Sequence, residues 1–267
     1  MIKGIAPAKA YSFGAKWLAS LAVVNWKYTV GIFSPDSRSL VYRLSDHLGF
    51  ESLGRIKARL PKIEASELVP KFEAELASPQ GIDGNVSLFE LLILSSVARH
   101  YGVKNAFEIG TFDGRTALNL AYNVAEDGRV YTLDLPPSQV STAAGVLDKG
   151  DLHYINNHQS GELIKRVADA RCARITQLLG DSASFDYSPY ENQMDLVFID
   201  GAHAVDYVRR DSQTALRLLR NGKGFVFWHD YDASAGVIEA VDELRAQHPE
   251  FDIRHISGTK MAVLHKI

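Results

Sequence analysis

The stretch Phe107-Glu-Ile-Gly-Thr-Phe-Asp-Gly-Arg-Thr-Ala-Leu-Asn-Leu120 decides how this chain folds. It begins as a short apolar strand, turns at Gly110 and Gly114, and continues from about Arg115 as a helix with alanine and leucine on its inner side. Glycine permits a tight turn and brings bare N–H groups close to a ligand, and the N-terminus of the helix favours a negative group. The stretch therefore predicts a strand–turn–helix unit that holds a small molecule against the main chain.

The spacing of the two glycines disfavours a dinucleotide. A pyrophosphate needs the pattern G-x-G-x-x-G, whereas bulky Phe112 stands between the glycines here. Downstream, Arg129–Asp134 reads as a second strand that ends in an acid, about 20 residues after the turn, where an acid accepts hydrogen bonds from a ribose diol. The pattern predicts a ligand with an amino-acid end and a ribose, and it argues against a nicotinamide-dependent oxidoreductase. By itself the glycine pair would fit ordinary turn chemistry equally well, but Glu108 and Asp134 favour ligand binding.

Predicted strands and helices alternate along the chain. We predict strands at about 105–109, 129–134, 174–179, 194–200 and 222–228. We predict helices at about 87–100, 115–126, 160–171, 204–220 and 233–247, the first of which opens with a capping-box pattern. A closing strand pair follows around Gly258. This alternation is typical of the doubly wound α/β class, a parallel sheet with helices on both faces.

Residues 1–84 contain no motif that we can assign. The apolar run Trp17–Trp26 is too short to cross a bilayer, because a spanning helix needs about 20 residues. Pro79–Gly84 is the clearest linker in the chain. We therefore expect a mainly helical leader over residues 1–84, no membrane span, and a second domain over residues 85–267.

The segment Leu135–His158 is long and polar and contains two prolines. A connection of this kind is a candidate lid or substrate wall. Its His153 and His158 could be ligands or bases, although a solvated loop histidine is the more common case.

The composition is that of an ordinary globular protein, with 46% apolar and 23% charged residues. A formal net charge of -3 argues against a nucleic-acid partner, which would need a basic face. The single cysteine, Cys172, excludes an internal disulfide and a cysteine-cluster metal site, and it suits a reducing compartment. We therefore expect a cytoplasmic protein that acts on a small molecule.

Polar side chains follow three further predicted strands. Gly180–Ser182 follows one strand, and its Asp181 could meet an adenine ring or form an Asx turn. Asp200 ends the most apolar strand, and the next strand ends in His229 and Asp230. Because the carboxyl ends of strands border the ligand in open α/β sheets, two carboxylates and an imidazole could hold a divalent cation there. Oxygen ligands suit Mg²⁺ or Ca²⁺, and an imidazole extends the choice to Mn²⁺, Fe²⁺ or Zn²⁺. In the alternative, Asp230 caps the next helix and Asp200 binds backbone.

Four motifs resemble, in the same order, those of class I S-adenosylmethionine-dependent methyltransferases: Glu108–Thr116, Leu133–Asp134, Gly180–Ser182 and Asp195–His203. The resemblance is greatest to the metal-dependent O-methyltransferases of the catechol, caffeoyl-CoA and macrocin types, and it extends from about Leu88 to the C-terminus. It implies a Rossmann-like, mostly parallel seven-stranded sheet with an antiparallel last strand. It also implies S-adenosylmethionine as the cofactor, bound at Glu108, Gly110, Thr111, Phe112, Gly114, Thr116, Asp134, Leu135, Asp181, Ser182 and Asp200.

The resemblance further implies roles for the polar side chains. In the related enzymes a metal is held by an acid at the position of Asp200 and by an acidic or amide pair at the next strand end. Metal ligands are therefore expected at Asp200, His229 and Asp230, with Mg²⁺ favoured over Mn²⁺ or Fe²⁺; His229 could instead position the acceptor. His203 stands where the catechol-type enzymes carry a catalytic lysine, and its ordinary pKa of about 6.5 would leave a neutral base at pH 7. Asp230 is a second candidate base.

We therefore predict transfer of a methyl group from S-adenosylmethionine to a hydroxyl of a small molecule, such as a natural product, a sugar or a catechol-like phenol, with the help of a divalent metal. In the related families leaders cover the active site or build a dimer, so residues 1–84 are expected to do one of these in a homodimer or higher oligomer. Two alternatives stay open. One is a metal-independent methyltransferase that uses His203 and His229 as acid–base groups. The other is a non-catalytic cofactor-binding scaffold, which has no need for acids at three strand ends.

Overall fold

The computed structural model describes residues 58–266 except residues 146 and 148. These described residues belong to one compact unit. None of their helices combines the length and the apolar content that a membrane-spanning helix requires. Most of the leader, including Trp17–Trp26, lies outside the described residues, so its helical content and its role as a lid or dimer contact stay predictions.

Within the described residues, eight strands form a single sheet. They are β1 (Lys62–Ile63), β2 (Asn105–Ile109), β3 (Arg129–Asp134), β4 (Ile175–Leu179), β5 (Leu196–Ile199), β6 (Gly224–Trp228), β7 (Ile253–Ile256) and β8 (Ala262–Lys266). The order is β1-β7-β8-β6-β5-β2-β3-β4. Neighbours run parallel except at β8, which is antiparallel to both β6 and β7. The doubly wound Rossmann-like sheet and its antiparallel last strand are confirmed, but the sheet has one strand more than the seven expected. The extra strand, β1, has too few residues to show a strand pattern in the sequence.

Seven α-helices accompany these strands in the described part of the chain. They are α1 (Ala65–Leu68), α2 (Leu88–His100), α3 (Arg115–Asn123), α4 (Lys149–Asn157), α5 (Glu162–Arg166), α6 (Val205–Leu218) and α7 (Ala235–Gln247). The segment Leu135–His158 was predicted to be a loop, yet it contains a 3₁₀ turn (Pro137–Thr142) and α4. Helix α4 was not predicted because most of its residues are polar. Helix α5 is shorter than predicted and is followed by a 3₁₀ turn (Ala170–Arg174).

Apolar side chains bury both faces of the central strands. Phe107, Val197 and Trp228 pack on the face covered by α6 and α7, while Phe198 and Phe227 pack on the face covered by α2 and α3. Strands buried on both faces read as continuous apolar runs, which is why β2, β5 and β6 could be predicted. Their parallel register brings the carboxyl ends of β2, β3, β5 and β6 to one edge of the sheet.

A strap, defined here as residues 75–86, runs along α3 to this edge. Arg115 is 2% exposed and donates hydrogen bonds to three strap carbonyl oxygens at 2.7–2.9 Å. Further along α3, the side-chain amides of Asn119 and Asn123 each bond both the N–H and the C=O of one strap residue. The predicted linker Pro79–Gly84 is thus part of a segment that is docked on α3.

We expect Arg115→Met to lower the free energy of unfolding by about 3 kcal/mol, because three carbonyl oxygens lose a charged donor. For a domain of this size that corresponds to a melting temperature about 6–12 °C lower, measurable by circular dichroism. The control is Arg217→Met, since Arg217 is half-exposed and pairs with Glu191 on the surface at 3.1 Å; its effect should stay within about 0.5 kcal/mol. Equal melting temperatures for the two variants would contradict the role assigned to Arg115.

Candidate functional site

A cavity of about 280 Å³ lies at the carboxyl edge of the sheet. The ends of β2, β3, β5 and β6 border it, together with α4 and the strap residues Asp83–Asn85. In open α/β sheets ligands bind at this edge. The strand-end acids identified in the sequence were expected to meet here.

Most of the predicted cofactor residues line the cavity: Gly110, Phe112, Asp134, Leu135, Asp181, Ser182 and Asp200. Glu108, Thr111, Gly114 and Thr116 are not among the lining residues. The carboxylate of Glu108 is buried and accepts a hydrogen bond from the Thr132 hydroxyl, which also bonds the Thr111 hydroxyl. Burial raises the pKa of Glu108 well above its ordinary value. Glu108 and Thr111 therefore form a buried polar group beneath the turn.

The two glycines of the turn are required by chain packing. A Cβ atom on Gly110 would lie 2.1 Å from the backbone oxygen of Asp200, and one on Gly114 would lie 2.5 Å from Cδ1 of Ile164 in α5. Both glycines have positive φ, 100° and 90°. The N–H of Gly114 donates to the carbonyl of Thr111 at 2.9 Å. At Gly114 the expected bare N–H facing a ligand is therefore not found.

Asp134 lies at the end of β3 and lines the cavity. Burial raises its pKa, although the Ser160 hydroxyl and the N–H groups of the turn at Thr111 and Phe112 oppose this effect. The N–H groups of the turn thus face an acid of the chain itself. A carboxylate in this place can accept hydrogen bonds from hydroxyl groups of a ligand.

Asp181, which follows β4, already has partners within the chain. Its Oδ1 accepts a hydrogen bond from the N–H of Ala183 at 3.1 Å, and its Oδ2 accepts one from the N–H of Ala144 at 2.6 Å. The first bond is the Asx-type turn that was the alternative to adenine binding. The second ties the segment before α4 to the end of β4. Contact between Asp181 and an adenine ring stays a prediction.

Asp200, His203 and Asp230 converge beyond the ends of β5 and β6. One nitrogen or carboxylate oxygen from each residue lies within 4.8 Å of the other two. Nε2 of His203 is 2.9 Å from Oδ2 of Asp230. Two carboxylates and one imidazole at these distances form a donor set for a divalent cation.

His229, which was expected to be a metal ligand, also lines the cavity and lies against the two carboxylates of this group. Its Nδ1 is 3.0 Å from Oδ1 of Asp200 and 3.5 Å from Oδ2 of Asp230, and its Nε2 is 3.5 Å from Oε2 of Glu90. The side chain is only 7% exposed. The structure therefore places both imidazoles beside the carboxylate pair, and His229 also faces the buried acid Glu90. Metal binding by His229 stays a prediction.

The carboxylates around the two imidazoles change their protonation. Burial lowers the pKa of His203, but hydrogen bonds to Asp151 and Asp230 outweigh burial and raise it to about 10. The pKa of His229 is likewise raised by Asp200, Asp230 and Glu90, against burial. The expectation of a neutral His203 at pH 7 is therefore wrong for this arrangement, because an imidazole between two carboxylates keeps its second proton.

Three residues of the site were not predicted as site residues. Glu90 belongs to the capping box of α2, and its carboxylate also accepts a hydrogen bond from the backbone N–H of Lys260 at 2.7 Å. Nζ of Lys260 is 3.3 Å from Oδ1 of Asp230. Asp151 of α4 contacts His203, and no motif in the polar segment pointed to it.

Of the two histidines of that segment, His158 lines the cavity and His153 is exposed outside it.

Comparison with known proteins gives one family match. Residues 107–231 match the family model described as a methyltransferase domain. No curated protein is close enough in sequence to count as a match.

Several solved structures are similar in backbone. The O-methyltransferase TomG of Streptomyces achromogenes, solved with SAM, has a TM-score of 0.49 at 19% identity over 69% of this chain and 83% of that one. The O-methyltransferase of Bacillus cereus, solved with SAH, has a TM-score of 0.47 at 18% identity over 69% and 84%. The SAH-bound methyltransferase PaMTH1 of Podospora anserina has a TM-score of 0.47 at 16% identity over 69% and 81%.

Proposed function

We propose that the protein transfers a methyl group from S-adenosylmethionine to a hydroxyl of a small molecule, and the match of residues 107–231 to a methyltransferase-domain model supports this. The observation that carries the proposal is the ring of strand-end acids around one cavity: Asp134, Asp181 and Asp200 line it together with Asp230. Asp134 would accept hydrogen bonds from the ribose diol, as strand-end acids do in this fold class. The acceptor would then bind beside Asp200 and Asp230.

The chemistry needs little from the protein beyond alignment, because the methyl group of a sulfonium is already activated. Alignment by itself contributes several kcal/mol to such reactions. The hydroxyl of the acceptor must lose its proton, and the carboxylate of Asp230 is the group of the cavity that would accept it, because His203 already carries a proton on each ring nitrogen. The cluster of Glu90, His229 and Asp200 would hold these groups in place.

Asp200, His203 and Asp230 fit a divalent cation, because one donor atom from each lies within 4.8 Å of the other two. Two carboxylate oxygens and one imidazole nitrogen are ligands that such cations accept. These three residues would hold the ion, with Mg²⁺ the first choice and Mn²⁺ or Fe²⁺ as further candidates. When bound, such a cation lowers the pKa of a hydroxyl beside it. His229 would support the site through Asp200.

Calorimetric titration with S-adenosylhomocysteine, with and without Mg²⁺, tests the proposal. We expect binding in the micromolar range, about -8 kcal/mol. Absence of binding under both conditions would refute the methyltransferase and favour a scaffold that binds no such cofactor.

A metal-independent methyltransferase is a second candidate, because the carboxylate pair already has cationic partners within the chain. Lys260 lies 3.3 Å from Asp230, and His229 lies 3.0 Å from Asp200. Activity that persists in EDTA would favour this candidate, and loss of activity that Mg²⁺ restores would favour the metal-dependent enzyme.

We expect Asp134→Ala to weaken S-adenosylhomocysteine binding by about 10- to 100-fold, because each hydrogen bond to a charged group contributes about 1.5–3 kcal/mol. Calorimetry measures the dissociation constant, and circular dichroism checks the fold. Asp186→Ala serves as the control, since Asp186 is exposed between β4 and β5 and does not line the cavity. Unchanged affinity in Asp134→Ala would show that the ribose lies elsewhere.

A further inference from the structure

The imidazole of His203 is held on both sides, and one side comes from α4. Oδ1 of Asp151, in the first turn of α4, is 2.6 Å from Nδ1 of His203. Oδ2 of the same carboxylate accepts the backbone N–H of His203 at 3.1 Å. On the other side of the ring, Nε2 faces Oδ2 of Asp230 at 2.9 Å. One acid therefore binds both the ring and the main chain of a single histidine.

The burial of this contact indicates a role beyond fastening α4. The side chain of Asp151 is 5% exposed, and a buried carboxylate destabilises the fold unless hydrogen bonds compensate it. The bond to the backbone N–H connects α4 to the segment that follows β5. The additional bond to Nδ1 acts on the ring of His203, which lines the cavity.

A carboxylate beside Nδ1 determines which nitrogen of the ring is available. An ionised carboxylate only accepts hydrogen bonds, so it keeps a proton on Nδ1. Nε2 is then the nitrogen that must release its proton when a cation binds, and it is the one that faces Asp230. Histidines that bind metals usually donate their other ring N–H to a carboxylate or carbonyl, which fixes the orientation of the ring.

We infer that Asp151 is a positioning residue for a divalent-cation site made of Asp200, His203 and Asp230. Asp151 does not touch the cation. It holds His203 with Nε2 toward the carboxylate pair, and the segment between β3 and β4 thereby becomes part of the reaction centre. The inference rests on the proposed function, because it assigns the support of the cation at that same site.

Calorimetric titration of the full chain with Mn²⁺ tests this, with S-adenosylhomocysteine titrated in parallel. We expect Asp151→Asn, which preserves the shape of the side chain, to weaken Mn²⁺ binding by about 10- to 100-fold and to leave cofactor binding unchanged. The control is Asn156→Ala. Asn156 is exposed on the same helix, and its side-chain amide donates a hydrogen bond to the carbonyl of Leu152 in that helix. This control should bind both ligands as the parent does.

A second comparison separates positioning from a structural role. In a His203→Ala background, Asp151→Asn should have no further effect on Mn²⁺ affinity, because positioning acts only through the imidazole. An effect that persists in that background overturns the inference. The inference is also overturned if Asp151→Asn loses Mn²⁺ affinity and cofactor affinity equally. It is likewise overturned if Asp151→Asn binds Mn²⁺ as tightly as the parent does, or if the parent does not bind Mn²⁺. If the parent binds S-adenosylhomocysteine but not Mn²⁺, this inference fails while the methyltransferase proposal stands.

Discussion

Gly110→Ala will lower the melting temperature by about 8–16 °C, the expected consequence of losing about 4 kcal/mol of stability in a domain of this size. Two costs add in this variant. A residue with a Cβ at positive φ lowers the free energy of unfolding by about 1–2 kcal/mol, and Gly110 has a φ of 100°. Overpacking costs about 1–3 kcal/mol more, because the new Cβ would lie 2.1 Å from the backbone oxygen of Asp200.

The matched control is Gly102→Ala. Gly102 also has positive φ, 60°, but a Cβ there would meet nothing within 4 Å. Its melting temperature should fall by only about 2–8 °C, since the backbone cost remains and the overlap is absent. If both variants have the same melting temperature, the Asp200 backbone can move aside and the packing argument fails. Because relief of the overlap would displace Asp200, we expect Gly110→Ala to lose Mn²⁺ affinity as well.

Asp230→Asn will reduce methyl transfer by about 10²- to 10³-fold, the usual effect of removing one charged group from a reaction centre, while cofactor binding stays intact. Asp230 accepts from His203 at 2.9 Å and lies 3.3 Å from Nζ of Lys260. An amide cannot replace the charge that either the cation or the imidazole requires. Asparagine is the right replacement because Asp230 has a φ of 55°, a conformation that asparagine adopts readily.

Release of S-adenosylhomocysteine with a hydroxyl acceptor found by screening measures this effect. Asp232→Asn is the control: Asp232 stands two residues further on, is 43% exposed and lies 3.9 Å from His255 rather than at the cavity. It should keep the turnover of the parent. Full turnover in Asp230→Asn would mean that the proton of the acceptor leaves by another route.

Much of the fold was predictable because its patterns are local. The strands β2, β5 and β6 are buried on both faces and therefore appear as apolar runs, and the bounds of β2 and β3 agree with the prediction. The capping box of α2 is present, with Ser87 and Glu90 bonded to each other's backbone N–H. Helix α4 and strand β1 were missed, because neither contains an apolar pattern long enough to be recognised.

The candidate site was predictable to the level of the sheet edge. Acids that follow parallel strands must meet at one edge, and Asp134, Asp181 and Asp200 do line one cavity there. Their contacts were less predictable. The turn N–H groups face Asp134, and Asp181 binds Ala144, because unpaired polar groups of the chain find partners in the chain itself.

The sequence by itself determined the class of sheet, the positions of its central strands and the edge at which acids gather, since each of these follows from residues close together in the chain. Only the tertiary structure decided which further acid contacts each imidazole beside the carboxylate pair. His203 contacts Asp151, which lies 52 residues away in a helix without an apolar pattern, and His229 lies between Asp200 and Glu90. Contacts between side chains so far apart leave no periodic pattern in a single sequence, so they exist only once the sheet has brought its strand ends together.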